Sequence, residues 1–176
     1  MKIVLFGKRI LMTYHHVYYR LSYSDFLTSS NKTLVMFPIT KDDYDTLRLS
    51  SSLRHMLDEQ PNYVKGYGFR DSDSNTVGHL FLMKKGGNEV LYKIRKIDSY
   101  LFALRVFSEY QGKGYGEEIM TQVIEELHND GVDTVFLTVK KNNKQAIHIY
   151  DKLGMKAIGR KFFIRIGRYN IPYIEL

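Results

Sequence analysis

The chain has no cysteine and no long apolar run, and each absence removes a class of protein from consideration. Without cysteine there is no disulfide framework, no thiolate nucleophile and no cysteine-ligated metal, and the composition fits a reducing compartment. The apolar run near the start, Ile3–Phe6, is four residues long before Gly7 and Lys8 interrupt it. Because such a run is too short for a signal peptide or a membrane span, we expect a cytoplasmic protein with no membrane partner.

What the chain does contain is enough apolar sequence for one core and an excess of positive charge. Apolar residues make up 44% of its 176 residues, which predicts one sizeable folded domain. The formal net charge is +7, and the first 33 residues hold five basic side chains against one acidic side chain. This charge favours a polyanionic ligand, an acidic acceptor or nucleic acid over a polycationic partner such as a polyamine. Ordinary solubility charge is the alternative explanation.

A glycine-rich segment, Gln111–Gly116, lies between a predicted strand at 99–107 and a predicted helix. The helix is indicated by an apolar stripe at helical spacing, formed by Ile119, Met120, Val123, Ile124 and Leu127. The glycines let the backbone approach a ligand closely, and a helix N-terminus carries about half a positive charge, so the pattern predicts a phosphate site. The spacing is neither G-x-G-x-x-G nor G-x-x-x-x-G-K-[ST], which excludes two better-known phosphate loops. Glu117 and Glu118 follow directly and would repel a phosphate if they faced it.

Two blocks of sequence carry a resemblance to a known family. The residues Gln111-Gly112-Lys113-Gly114-Tyr115-Gly116 match the [RQ]-x-x-G-x-[GA] signature of the GNAT superfamily of N-acetyltransferases. Downstream, the segment from Asn143 to Met155 resembles that family's N-x-x-A-x-x-x-Y-x-x-x-G-[FM] helix. The resemblance divides the chain into a GNAT acetyltransferase domain at 33–176 and an N-terminal extension at 1–32. The extension could add an edge strand, cover the acceptor cleft or mediate dimerisation, and the sequence leaves these roles open.

The resemblance implies an α/β (α+β) architecture, the GNAT fold, with a mixed central sheet of about seven strands, a splayed middle and helices on both faces. Local sequence patterns predict the individual strands and helices, and the segment around 84–98 is longer than the compact family pattern requires. The predicted strands are 34–37, 63–70, 76–83, 90–94, 99–107, 134–140, 157–166 and 171–175. The predicted helices are 40–50, with Thr40 as the N-cap, 52–59, the helix after the glycine-rich segment, and the one at 143–153.

The same resemblance implies the residues that form the site. The acetyl-CoA-binding residues would be Leu104, Arg105, Val106, Gln111, Gly112, Lys113, Gly114, Tyr115, Gly116, Asn143 and Tyr150. The backbone N–H of Leu104 would stabilise the developing oxyanion, and Tyr150 would assist the departing thiolate. No metal is predicted, because the adjacent His15 and His16 would point to opposite faces of a strand and have no third ligand at a suitable spacing.

The general base is the part of the site that the sequence determines least. Family members often use a glutamate at one of two strand positions, and this chain has Tyr100 and Thr138 there. Asp98 shares the strand parity of Tyr100 and is the nearest carboxylate, so it is the candidate base. His79, on a preceding strand, is the alternative because histidine titrates near neutral pH. An amine already partly neutral at working pH would need no dedicated base.

The implied function is an N-acetyltransferase that uses acetyl-CoA as co-substrate and acetylates a primary amine directly in a ternary complex. The acceptor could be a small amine, an amino sugar attached to a nucleotide, a protein amino group or an aminoacyl-tRNA, and positive charge with abundant tyrosine mildly favours an anionic or aromatic one. The missing glutamates motivate an alternative, a catalytically silent acyl-CoA-binding regulatory module. A nucleic-acid-binding N-terminal arm ranks last, since no base-stacking or groove-binding motif supports it.

Overall fold

A computed structural model of the chain describes residues 5–6, 9–10, 12–28, 32–84, 98–166 and 169–175. The strands in these residues are β1 (Leu5–Phe6), β2 (Arg9–Ile10), β3 (Met12–Ser22), β4 (Val35–Pro38), β5 (Val64–Arg70), β6 (Thr76–Met83), β7 (Asp98–Val106), β8 (Thr134–Lys140), β9 (Lys156–Ile166) and β10 (Tyr169–Glu175). The α-helices are α1 (Ser51–Glu59), α2 (Tyr115–Asn129) and α3 (Lys144–Lys152).

Eight of the strands form one sheet in the order β10-β9-β3-β8-β7-β6-β5-β4, and β1 pairs with β2 separately. The central pair, β7 and β8, is parallel, and the other neighbouring pairs of the large sheet are antiparallel. The predicted mixed sheet of the GNAT fold is therefore confirmed. The sheet has one strand more than the seven or so that we predicted, because part of the N-terminal extension joins it.

Strand β3, from the predicted extension, lies inside the sheet rather than at its edge. It pairs antiparallel with β8 from His16↔Lys140 to Ser22↔Thr134, and its other side pairs with β9. Tyr18 and Leu21 of this strand are each only 1% exposed. The edge-strand role considered for the extension is therefore wrong for residues 12–22, whereas a domain boundary near residue 33 stays a prediction.

The helices cover both faces of the sheet, as predicted. Leu80 and Leu82 of β6 belong to the apolar cluster that contains the buried side of α2 and side chains of α3. Phe81, which lies between them in the chain, belongs to a second cluster together with Leu53 and Leu57 of α1. Because successive strand residues point to opposite faces, α1 covers one face and α2 with α3 covers the other. No helix in the described part of the chain is long and apolar enough to cross a membrane.

The predicted helix at 40–50 is wrong, because the chain forms only a short 3-10 turn at Lys41–Asp43 and then irregular turns. Thr40 does cap this turn, and its hydroxyl lies 2.8 Å from the Asp43 carboxylate. Arg48 has a φ of 51°, a left-handed conformation that cannot continue a right-handed helix. The strand predicted at 90–94 lies outside the described residues.

Candidate active site

Strands β7 and β8 separate in the middle of the sheet and leave a gap. Their parallel pairing runs only from Asp98↔Thr134 to Leu101↔Leu137. Just beyond, β7 bulges at Ala103, whose φ is 52°, and its register with β6 shifts there. The edge of β7 at Leu104–Val106 consequently has no strand partner on the β8 side, and the splayed middle that we predicted is present.

The opening between the two strands is a cavity of about 420 Å³, which we call the gap cavity. Its lining includes Leu104 of β7, Thr138 of β8 and Tyr150 of α3, together with Tyr100, Asn143 and His16. The Tyr100 hydroxyl lies 2.6 Å from the Thr138 hydroxyl, so these two side chains form a hydrogen bond across the gap. No carboxylate lines this cavity in the described part of the chain.

A second cavity of about 410 Å³, the loop cavity, adjoins the first and shares Leu104, Asn143 and Ala146 with it. The glycine-rich segment forms one wall: Gln111, Gly112, Gly114, Tyr115, Gly116 and Glu117. The two cavities together extend from the N-terminus of α2, past the unpaired edge of β7, to Tyr150. They form an elongated cleft with a glycine loop at one end and a tyrosine at the other.

The glycines of this segment serve two different purposes. Gly112 and Gly114 have φ values of 79° and 83°, and a Cβ on either would meet no atom within 4 Å. Both therefore provide a left-handed backbone beside open space, which suits a loop that encloses a ligand. Gly116 instead allows close packing of α2 on α3, because its Cβ would lie 2.9 Å from the Ile149 side chain. The Gln111 side-chain amide donates a 3.0 Å hydrogen bond to the Val106 carbonyl and ties the loop to β7.

The two glutamates after the loop do not present free carboxylates to it. Glu118 is 5% exposed and turns toward the segment before β4, where it accepts hydrogen bonds from the Leu34 N–H at 2.6 Å and from the N–H and hydroxyl of Thr33. Glu117 does line the loop cavity, but its carboxylate pairs with the Lys152 ammonium at 2.6 Å. The repulsion that the sequence suggested is thus removed at one residue and offset at the other.

Asn143 and Tyr150 mark the two ends of the α3 face that lines the gap cavity. The side-chain oxygen Oδ1 of Asn143 accepts a 3.2 Å hydrogen bond from the Ala146 N–H and caps the helix. Tyr150 is 6% exposed, and its ring centroid lies 5.7 Å from that of Tyr19. Burial, followed by the neighbouring hydroxyls of Tyr100 and Tyr19, raises the pKa of Tyr150 to about 12. This hydroxyl therefore stays protonated at neutral pH and can donate a hydrogen bond.

Two predicted binding residues stand apart from the cleft. The side chains of Arg105 and Lys113 are not among those that line either cavity. The Arg105 guanidinium lies 5.5 Å from the Phe107 ring centroid, and the Lys113 ammonium lies 5.3 Å from the Tyr110 ring centroid. For Arg105 the predicted contact is through the backbone, and that backbone follows the unpaired edge of β7.

The two candidate bases, Asp98 and His79, are described by the structure to different extents. The backbone of Asp98 begins β7 opposite Thr134, but its side chain lies outside the described part of the chain. His79 is 2% exposed and lies edge-on to the rings of Phe81 and Phe107. Burial, followed by the charge of Arg105, lowers the pKa of His79 to about 4. His79 is therefore a core residue and not a base that works near neutral pH.

His16 lines the gap cavity, although we did not predict it as part of the site. No local sequence pattern indicates this placement, because it depends on the pairing of β3 with β8, whose residues are more than a hundred positions away. Within the described residues, no group of three His, Asp or Glu side chains is arranged to hold a metal ion. The absence of a metal stays a prediction.

Comparison with known proteins places this cleft in a family context. A model of the acetyltransferase (GNAT) family matches residues 33–155. The chain is 31% identical over 77 residues to the [ribosomal protein bS18]-alanine N-acetyltransferase of Escherichia coli K12, a match that covers 42% of this chain and 52% of the relative. It is 31% identical over 104 residues to the L-amino acid N-acetyltransferase AaaT of the same organism, covering 57% and 60%. The chain thus spans about half the length of the curated relatives it matches.

Solved structures show the same fold at low sequence identity. A glucosamine N-acetyltransferase region of a fungal multi-domain β-N-acetylglucosaminidase superposes with a TM-score of 0.67 at 12% identity, over 88% of this chain and 21% of that one. The spermidine N-acetyltransferase of Vibrio cholerae, in complex with CoA and spermine, has a TM-score of 0.60 at 17% identity, over 82% and 94%. These likenesses concern the fold alone.

Proposed function

The chain belongs to the acetyltransferase (GNAT) family, and from that premise we propose that it is an acetyl-CoA-dependent N-acetyltransferase acting directly on a primary amine in a ternary complex. The observation that carries the proposal is the pair of adjoining cavities that runs from the glycine loop to Tyr150 along the unpaired edge of β7. A long, thin ligand with a phosphorylated end suits this shape. A cytoplasmic location belongs to the same proposal.

The residues of the cleft fit acetyl-CoA. The N–H groups of Gly112–Gly116 and the N-terminus of α2 would hold the pyrophosphate, with open space beside Gly112 and Gly114. The exposed backbone of Leu104–Val106 would hydrogen-bond the pantetheine as a neighbouring strand does. When bound, acetyl-CoA supplies the activated acetyl group. Asn143, which caps α3 and lines both cavities, borders the same path.

The transfer requires an N–C bond to form, a C–S bond to break and a proton to leave the amine. By the family resemblance, the Leu104 N–H would stabilise the negative charge that develops on the thioester oxygen. The Tyr150 hydroxyl would donate a hydrogen bond to the departing sulfur. Full proton transfer from a tyrosine of pKa about 12 to a thiolate near 8.5 is uphill by about 5 kcal/mol. Hydrogen-bond donation is therefore the role that we assign to Tyr150.

The acceptor is proposed to be the α-amino group of a peptide or an amino acid. The names of the relatives from Escherichia coli, an alanine N-acetyltransferase of a ribosomal protein and an L-amino acid N-acetyltransferase, support this class. The gap cavity adds an aromatic wall, Tyr100 with Phe102 at 6.2 Å between ring centroids, that suits an aromatic acceptor. Among the described residues its lining holds no carboxylate, and such a wall offers little to a polycation.

The test measures acetyl-CoA binding by isothermal titration and thiol release with an amine panel of amino acids, an alanine-initiated peptide and spermidine. Gly114→Val should abolish binding, because a β-branched residue is strained at a φ of 83° and its side chain would fill the loop cavity. Gly131→Val is the matched control, since Gly131 has a φ of 81° and equally open surroundings at the other end of α2. Binding that survives Gly114→Val would overturn the proposal.

A second function, the catalytically silent acyl-CoA-binding module, is favoured by one observation. By the resemblance, the two positions where family members often use a glutamate hold Tyr100 and Thr138. The hydroxyls of these two residues are hydrogen-bonded to each other. This alternative predicts normal acetyl-CoA binding by the wild type and no thiol release with any amine of the panel. Release above the buffer rate with one amine would reject it.

A further inference from the structure

Strand β3 brings a histidine into the gap cavity from outside the part of the chain that matches the family. His16 is partly buried and lines this cavity together with Tyr100, Thr138 and Tyr150. The family match begins at residue 33, so the match itself says nothing about His16. Its place beside the predicted catalytic groups follows only from the insertion of β3 next to β8.

The register fixes the face of the sheet from which His16 enters. Val17, Tyr19 and Leu21 belong to the apolar cluster that packs with α2 and α3, so these alternate residues of β3 point to that face. His16 and Tyr18 point to the opposite face, which α1 covers. Tyr18 is paired with Thr138, and residues directly opposite each other in an antiparallel pair share a face. His16 and Thr138 therefore border the gap from the α1 side.

Tyr150 borders the gap from the other side, where α3 packs. It is a member of the cluster on that face and contacts the ring of Tyr19. His16 and Tyr150 thus flank one cavity from the two faces of the sheet. Direct acetyl transfer needs such an arrangement, because the amine attacks the thioester carbon on one side while the sulfur departs on another.

We propose that His16 is the general base of this protein and takes the proton that the attacking amine loses. The inference rests on the proposed function and adds a catalytic residue to it. As the N–C bond forms, a lone pair of the imidazole accepts the amine proton, and the C–S electron pair leaves with the sulfur beside the Tyr150 hydroxyl. Imidazole is the side chain that most often serves as a general base in enzymes.

The surroundings of His16 hold no competing carboxylate among the described side chains that line the cavity. The charged or titratable neighbours are Lys140, which pairs with it on β8, Tyr100 on β7 and Tyr150 on α3. On β9 the paired residue is Lys161, whose side chain lies outside the described part. Of the bases considered from the sequence, His79 does not line the cavity. The side chain of Asp98 lies outside the described part of the chain.

The test compares His16→Gln with wild type and with His55→Gln, which changes an exposed histidine of α1 that lines neither cavity. Acetyl-CoA affinity should be unchanged in both variants, whereas kcat/KM with the alanine-initiated peptide should fall about 100-fold or more only for His16→Gln. The acid limb of the kcat/KM profile should have a slope of two in wild type, from the imidazole and the amine, and a slope of one in His16→Gln. An unchanged rate and slope would overturn the role of His16.

An acceptor-independent measurement keeps the two proposals apart. The imidazole resonances of His16 and His55 are followed by NMR during a titration with acetyl-CoA alone. We expect the His16 signal to shift at saturation and the His55 signal to stay in place. Acetyl-CoA binding without a shift at His16 would overturn this inference alone, while no binding at all would overturn the proposed function and with it the role of His16.

Discussion

Replacement of Tyr150 by phenylalanine removes one hydroxyl from the gap cavity and keeps the ring that packs against Tyr19. If the hydroxyl donates to the departing sulfur, the variant loses one hydrogen bond to a charged acceptor. Such a bond contributes about 1.5–3 kcal/mol, which corresponds to a roughly ten-fold to hundred-fold fall in kcat. Acetyl-CoA affinity should change little, because the ground-state thioester sulfur carries no negative charge and is a weak acceptor.

The pH dependence of this effect follows from the raised pKa of Tyr150. With a pKa of about 12, the hydroxyl is protonated throughout the accessible range, so its loss should lower kcat by the same factor from pH 7 to about pH 9.5. A tyrosine that worked as a proton donor with an ordinary pKa near 10 would be about one quarter ionised at pH 9.5, so its advantage would shrink by only about that fraction.

The assay is thiol release under saturating acetyl-CoA, with binding checked by isothermal titration. Tyr19→Phe is the matched control, since Tyr19 is equally buried at 6% exposed, contacts the same ring and does not line the gap cavity. It should retain kcat within about two-fold. Equal turnover of Tyr150→Phe and wild type, with binding intact, would refute the leaving-group role.

Two further predictions concern stability and can be read by urea unfolding. The pKa of His79 is lowered to about 4 in the folded protein, against an ordinary 6.5, so its contribution to the free energy of unfolding is complete above pH 6.5 and is lost as the pH falls through 4. Between pH 7 and pH 4, wild type should therefore lose about 3 kcal/mol more stability than His79→Gln. Parallel plots of stability against pH for the two proteins would contradict a buried neutral imidazole. Glu118→Ala should lower the free energy of unfolding by about 2–3 kcal/mol, because it leaves the N–H groups of Thr33 and Leu34 without their acceptor. Glu117→Ala, which removes only the ion pair with Lys152, should lower it by less than about 1 kcal/mol. Similar losses in the two variants would show that Glu118 does not anchor the start of β4.

The glycine-loop end of the cleft could be predicted from sequence because its determinants are local. The glycine loop and the first turn of α2 lie within one short stretch, and the residue spacing of α3 puts Asn143 and Tyr150 on one face. The turn after β4 could not be predicted in the same way. Thr40, Asp42 and Asp43 are good helix-start residues, yet the chain forms only a 3-10 turn there, and Arg48 within the predicted range is left-handed.

The orientation of Glu118 shows a second kind of limit. Its position next to the loop suggested a carboxylate that faces the ligand, but its partners, Thr33 and Leu34, are more than eighty residues away in the chain. The placement of β3 could not be predicted for the same reason. The alternation of polar and apolar residues along a strand does not indicate which distant strands it pairs with. Sequence patterns report periodicity and caps, whereas these features depend on contacts between segments far apart in the chain.

The residues that line the two faces of the gap therefore come from different parts of the chain. The loop, Asn143 and Tyr150 belong to the stretch that matches the family, and they line the side on which α2 and α3 pack. On the α1 side, His16 and Tyr18 come from β3, outside the match. They join Thr138, which the resemblance puts at a position where family members often use a glutamate. If His16 supplies the base, the absence of that glutamate is explained by a replacement from a different strand. Removal of the proton from the acceptor amine would then depend on β3, a segment that the family match does not cover.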